Sequence, residues 1–586
     1  MEMPHTDSAA KNNTLEHPTG PEYQLVVGEG TYVLKDDLHL ATPPPHPSDA
    51  PQPNNNPLAT TIEPPKTGTK LTLTSFSQRR PLSQSLFRVA TAQSARSNPP
   101  IAEEPTSPKS DAGSQINGFG SSGYYSHLSG YGDNNPALQA APAKGKKKDE
   151  KLKPKNNIIK SNSSYVSRVI PHEALQKRLN ERSPDGMFAF ANVNRAFVWL
   201  DLSSELKVEN MTKVLFTKAH VLCHDINPVT KSTSHLDIVM GFNTSDIIWY
   251  EPISQKYARI NKNGAIRSGA VQSILWVPGK EHLFLAAFVD GTVVAFDKDK
   301  EDAPFVPEEA VENGHTNGVI GTANGQAHNT FKVLKSIQSR DQKANPIAVY
   351  KLSNLKINQM SFSPDGSMIA VVCEDGTLTI LDYVAEKVLD VYRSYYGAML
   401  CVTWSPDGRY VLTGGQDDLV SIWSLAERAL VARCVGHESW VTDVKFDPWR
   451  CDERNYRFGS VGEDCRLLLW DFSVGMLRRP KASRTRASVS GAGRKESSAT
   501  TMGRIRSNSA RSQGGGADGV DGGEKGVEEI EVVHAVDSKA QTAALPPVMS
   551  KSVDKHPLCW LGFEEGCILT SCKDGESAFA FACGVG

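Results

Sequence analysis

The ten cysteines of this 586-residue chain include no Cys-x-x-Cys couple, and Cys559, Cys567, Cys572 and Cys583 fall at no zinc-site spacing. That pattern argues against a zinc site, and no metal or cofactor is expected. There is no apolar run long enough to cross a bilayer and no N-terminal signal peptide, so a reducing compartment, cytoplasm or nucleus, is expected. An excess of one charge is missing too: 64 Lys and Arg stand against 66 Asp and Glu, a net charge of −2. The chain as a whole therefore gives no reason to expect nucleic acid or a membrane as partner. No phosphate loop of the Gly-x-x-x-x-Gly-Lys-Ser/Thr type and no His-Glu-x-x-His occurs. Gly514–Gly519 fits the dinucleotide fingerprint in letters only, since no strand precedes it and no helix follows.

The stretch from 435 to 472 is the strongest positive signal. Gly436–His437 is followed, 33 residues after the His, by Trp470–Asp471, with Ser460, Asp464 and the apolar Leu467–Trp470 between. Gly-His and Trp-Asp at this distance mark a four-stranded propeller blade, repeating every 40–45 residues or so. In such a blade His437, Ser460, Asp464 and Trp470 are expected to form one buried hydrogen-bonded chain.

One blade cannot bury both its faces, so neighbours are required. Two Ser-Pro-Asp-Gly turns begin at Ser363 and Ser405, 42 residues apart, and the turn acids Asp375 and Asp417 keep that offset. A further unit covers 271–297, turning at Asp290-Gly291. Weaker copies lie at 183–201, 235–250 and 556–581, which brings the number to seven. The expected fold is all-β, a seven-bladed WD40 propeller. Cys373, Cys401, Cys434 and Cys465 fall within its strands and turns, as small apolar residues. The last unit, 554–586, is incomplete: after Asp574-Gly575 it runs ESAFAFACGVG, without a closing Trp or a fourth strand. A strand from far upstream is expected to close the ring, and Thr31–Leu40 is the alternating segment available.

Seven blades need roughly 300 residues, leaving nearly half of the chain for tails and inserts. Residues 1–163 read as mostly disordered, Pro-, Ser-, Asn- and Gly-rich sequence, with short ordered pieces at 31–40 and within 70–93 (Lys70–Ser77 and Ser83–Gln93). The propeller is assigned to 164–477 with a polar insert at 300–345, and 478–553 is read as a disordered charged insert. The basic run Ala143–Lys155 suits a nuclear-import signal or an anionic patch, but a solvated linker explains it as well and is preferred. Arg residues just before Ser488, Ser507 and Ser509 suit kinase sites, against a plain flexible insert.

His437, Ser460 and Asp464 are also the residue types of a hydrolase triad. Their place beside Trp470 explains all four residues structurally, so no catalytic residue is assigned. Thr413, Asp417 and Trp423 are expected to repeat the chain in shortened form in the preceding blade. One blade further back Val371 and Leu381 replace the partners, which leaves Asp375 as a turn residue only. For partner binding the loops entering the first strands matter. Tyr396 and Trp440, 44 residues apart, place large aromatics there on adjacent blades.

Gly30–Pro47, Thr212–Lys231, Asp237–Gly264 and Ser394–Ser424 together resemble the fungal CreC family of catabolite-repression proteins. That family is similar to the animal WD-repeat proteins that activate ubiquitin-specific proteases. The resemblance spans nearly all of 22–480, and the sequence after Asp574 departs from it. It implies a non-catalytic partner that stabilises or activates a CreB-like deubiquitinase in carbon catabolite repression. The fold alone also admits a substrate receptor of a ubiquitin ligase.

Overall fold

Each repeat alternates apolar strands with tight turns, and in the computed structural model each becomes one antiparallel sheet. The structure describes residues 31–38, 40, 68–76, 153–160, 164–182, 186–204, 209–305, 331–339, 342–477, 533–538, 542–573 and 578–584. Its strands form seven sheets, the blades of one propeller. Numbered around the ring, the innermost strands of blades one to seven are Leu71–Ser75, Val221–Ile226, Val271–Trp276, Ile357–Phe362, Met399–Trp404, Val441–Phe446 and Leu558–Glu564. The turns between strands explain their sequence. Gly376, after Asp375, has φ +75°, and a Cβ there would lie 2.5 Å from the carbonyl oxygen of Gly397.

The blades are joined by a recurring device. The inner strands of blades two to seven all shift register after their first residue, as at Val441/Asp443 in blade six. Such a bulge re-aims the residue beside it. In blade two Cys223 donates to Val271 O (3.5 Å); in blade three Ser273 accepts from Met360 N (3.3 Å). Gln359 of blade four accepts from Val402 N (2.7 Å), and Cys401 of blade five donates to Val441 O (3.9 Å). Asp443 of blade six accepts from Leu561 N (3.0 Å), and Cys559 of blade seven donates to Thr69 O (3.2 Å) beside blade one. Asn192 of blade one donates to Val221 O (2.9 Å) and completes the circle. Cys401 is therefore a hydrogen-bond donor at a blade junction as well as a small apolar residue.

Closure uses distant sequence. Blade seven is ordered Leu558–Glu564, Cys567–Cys572, Ala578–Gly584, with Thr31–Leu38 antiparallel to the last of these. The blade has its third strand despite the missing Trp, because the ladder is made by backbone groups. Asp574 and Gly575 lie outside the described residues. Leu40, 6% exposed, then joins the apolar cluster of Leu71, Ala189 and Ala191 of blade one, against which Trp560 of blade seven packs.

Several boundaries differ from the sequence reading. Blade one takes its inner strand from Leu71–Ser75 and gains an outer strand, Val166–Pro171. Asn156–Asn157 pairs with the edge of blade two, anchored by Lys153 on Asp302 (2.6 Å) and Lys155 on Asp299 (2.7 Å). The end of the basic run is thus held by an acidic turn of blade three instead of being a free linker. Within 300–345, Lys332–Lys335 adds a strand to blade three. The stretch 478–553 returns to the ring before its end. Ala543–Leu545 lies parallel to Ala429–Val435 at the edge of blade five, and Met549–Ser552 is the fourth strand of blade six. Such edge strands are short and one-sided, so they carry little apolar period to read. Ser83–Gln93, Ser488, Ser507 and Ser509 lie outside the described residues.

Candidate functional site

At one end of the ring, the loop entering each inner strand meets the turn between the second and third strands of the same blade. In blade six this contact is a four-residue chain. The Trp470 indole N–H donates to Ser460 Oγ (2.8 Å), Ser460 meets His437 Nε2 (2.7 Å), and His437 Nδ1 meets Asp464 (2.8 Å). Burial works against the Asp464 carboxylate, but His437 and the amides of Glu438 and Arg466 outweigh it. Its pKa lies below the usual value. The connectivity is that of a hydrolase triad, yet Ser460 is 0% exposed and its oxygen already accepts the indole N–H. No substrate carbonyl can reach it, so the chain is a structural clasp.

The same contact recurs with different chemistry. The residue four before the inner strand is Arg267, Ser353, Tyr395 or His437 in blades three to six. Arg267 pairs with Asp290 in blade three. In blade four Ser353 donates to Asp375 at 3.0 Å. In blade five Asp417 accepts the amides of Leu419 (3.3 Å) and Tyr395, while burial raises its pKa. Trp423 there donates to Thr413 (2.9 Å), so that pair forms and Asp417 belongs to the turn. The expectation that Asp375 acts as a turn residue only is corrected. It holds Thr377 and also the entering loop, because a serine hydroxyl can stand in for the imidazole.

With the loops pinned by these clasps, their aromatic side chains point out. Tyr396 is 75% exposed and Trp440 42%. The Trp440 backbone is fixed, its carbonyl accepting Glu463 N–H at 2.9 Å, while the side chain stays partly open to solvent. A rigid loop carrying an exposed aromatic is suited to a protein interface, since little order is lost on binding. Among the described residues no group of three or more His, Cys, Asp or Glu could hold a metal ion.

Residues 342–407, reaching from blade three into blade five, match the family described as "Anaphase-promoting complex subunit 4 WD40 domain". Over 426 residues the chain is 39% identical to the "UBP9-binding protein bun62" of Schizosaccharomyces pombe (strain 972 / ATCC 24843), covering 70% of this chain and 74% of that protein. The chain belongs to the bun62 family. A chain in the solved "Crystal Structure of Mitotic Checkpoint Complex" aligns with 76% of this chain and 97% of its own length, at 12% identity and a TM-score of 0.40.

Three more large apolar residues are exposed in the same set of loops and were not singled out from sequence. They are Leu355 (50%), Tyr395 (48%) and Val435 (47%), in or at the start of the connections that enter blades four, five and six, the last two of which carry Tyr396 and Trp440. Tyr395 sits in the place of His437, and its ring lies 4.8 Å from the Arg433 guanidinium. Aligning the repeats on their inner strands would have found Tyr395 together with Arg267 and Ser353. Leu355 and Val435 carried no signal beyond being apolar.

Proposed function

We propose that this chain is a non-catalytic scaffold that binds, stabilises and activates a ubiquitin-specific protease of the CreB-like kind, in carbon catabolite repression. The observation that carries this reading is 39% identity, over 74% of its length, to a protein named for binding UBP9. The exposed Tyr396 and Trp440 supply the contact surface, being aromatic and on the loops that enter two neighbouring blades. Activation then needs no catalytic group from this chain. A partner that binds the protease's active arrangement more tightly than its resting one shifts the population toward it.

The test is reconstitution. Purified chain alone is expected to cleave no ubiquitin conjugate and to raise the turnover of its cognate protease. Activity of the isolated chain that disappears in Ser460→Ala, with an unchanged melt, would overturn the non-catalytic reading. Affinity purification separates the other alternative: recovery of cullin-type ligase subunits as main partners would favour a substrate receptor.

A further inference from the structure

The strands that lead into the two aromatic loops are both gripped from outside by one returning piece of chain. Lys387–Arg393 of blade four runs into the Tyr395–Tyr396 loop, and Ala429–Val435 of blade five runs toward Trp440. Val533 bridges Val391, and His534 N–H donates to Val391 O (2.9 Å). The His534 ring stacks on Tyr392 (4.5 Å, 13°) while its Nε2 meets Asp390 (2.7 Å). Ten residues later, Ala543–Leu545 pairs in parallel with Ala432–Cys434. Ala543 and Leu545 are buried in the core shared by blades five and six.

Between these two grips stands Arg433. It is 5% exposed, donates to Thr542 Oγ1 (3.1 Å) and to Asp537 O (2.8 Å), and lies 4.8 Å from the exposed Tyr395 ring. One guanidinium therefore touches the returning chain on one side and the loop face on the other. The planar fork suits both contacts, and lysine would lose the paired hydrogen bonds and most of the stacking.

We infer that residues 533–538 and 542–545 form a brace that holds the Tyr395–Tyr396 loop and the Val435–Trp440 loop in fixed relation, with Arg433 as the positioning residue. For partner binding this rests on the function proposed above, whereas the coupling itself does not. Removing the brace should loosen the loop face without substituting any residue of that face.

Hydrogen exchange with mass spectrometry decides the coupling on the full-length chain. In Arg433→Ala, amide exchange is expected to rise at least tenfold at both 394–398 and 542–545, and Arg433→Lys should not restore it. Ala543→Asp, which puts a charge into an apolar contact, should release the brace and raise exchange at 394–398 from the other side. If Arg433→Ala fails to fold, Ala543→Asp makes the same decision. Exchange that rises in one segment with the other unchanged, or in neither, overturns the brace. Affinity for the cognate protease is then measured on Arg433→Ala, with Tyr396→Ala and Trp440→Ala alongside. A loss of about thirtyfold or more in both aromatic variants, with one of tenfold or more in Arg433→Ala, supports the link to binding. Loss in the aromatic variants with full affinity in Arg433→Ala removes the brace from partner binding. Full affinity in both aromatic variants refutes the proposed face, and the exchange result still stands or falls alone.

Discussion

The Ser353 hydroxyl donates to Asp375 at 3.0 Å, in the position of blade four where His437 meets Asp464 in blade six. One clasp, between the loop that enters a blade and its second turn, is thus made by two side-chain chemistries. Removing the acid strands a buried or half-buried donor in either blade. Asp375→Ala and Asp464→Ala should each cost on the order of 1–3 kcal/mol, and His437→Ala a similar amount. Thermal or urea melts of the three variants check this. A negligible effect of Asp375→Ala beside a large one of Asp464→Ala would show that the serine version holds nothing.

A second prediction concerns pH. Burial lowers the pKa of His224 to about 4, despite its hydrogen bond to Phe190 O at 3.2 Å. The unfolded chain, with a histidine pKa near 6.5, takes up a proton that the folded chain refuses between those two values. His224 therefore costs nothing above about pH 6.5 and removes stability as pH falls toward 4. In His224→Gln the amide can still donate to Phe190 and does not titrate. Relative to the native chain, the variant should gain on the order of 1–2 kcal/mol between about pH 7 and pH 5. Parallel melts at the two pH values read the difference, and a constant gap between the two proteins would refute it.

The sequence displayed whatever rested on repeated side-chain chemistry. His437, Ser460 and Trp470 could be named because each is a polar or aromatic residue at a fixed offset, and the structure joins them at 2.7–2.8 Å. What rested on backbone alone was harder to see. Met549–Ser552 and Ala543–Leu545 join the ring through ladder bonds, so their sequences hold no period that separates them from the insert before them. The blade junctions were hidden for a different reason. Cys223, Ser273, Gln359, Cys401 and Asp443 do one job with four residue types, aimed by a bulge that no sequence pattern announces.

Ring closure gives a third prediction. Thr31–Leu38 pairs with Ala578–Gly584, and Leu40 packs into the junction of blades seven and one. Deleting residues 1–40 leaves that strand with an open edge and removes the Leu40 contact. Amide exchange across 578–584 should rise by at least tenfold, with the inner strands of blades three to five unchanged. Protection that survives the deletion would mean that another segment supplies the fourth strand.

The fourth prediction addresses the loop face. Tyr396 is 75% exposed and Trp440 42%, and neither takes part in the buried chain of blade six, so truncating either leaves that chain intact. If they anchor the protease, Tyr396→Ala and Trp440→Ala should each weaken its binding by at least roughly 2 kcal/mol, about thirtyfold, with the melting temperature unchanged. Calorimetry of the complex and melts of the free chain give both numbers. Tyr396, with only a quarter of its surface covered, is the cleaner probe, because its loss can hardly act through the fold. Full binding with a lowered melt in Trp440→Ala would assign that indole to its own loop. The same result at both positions would move the contact surface away from this end of the ring.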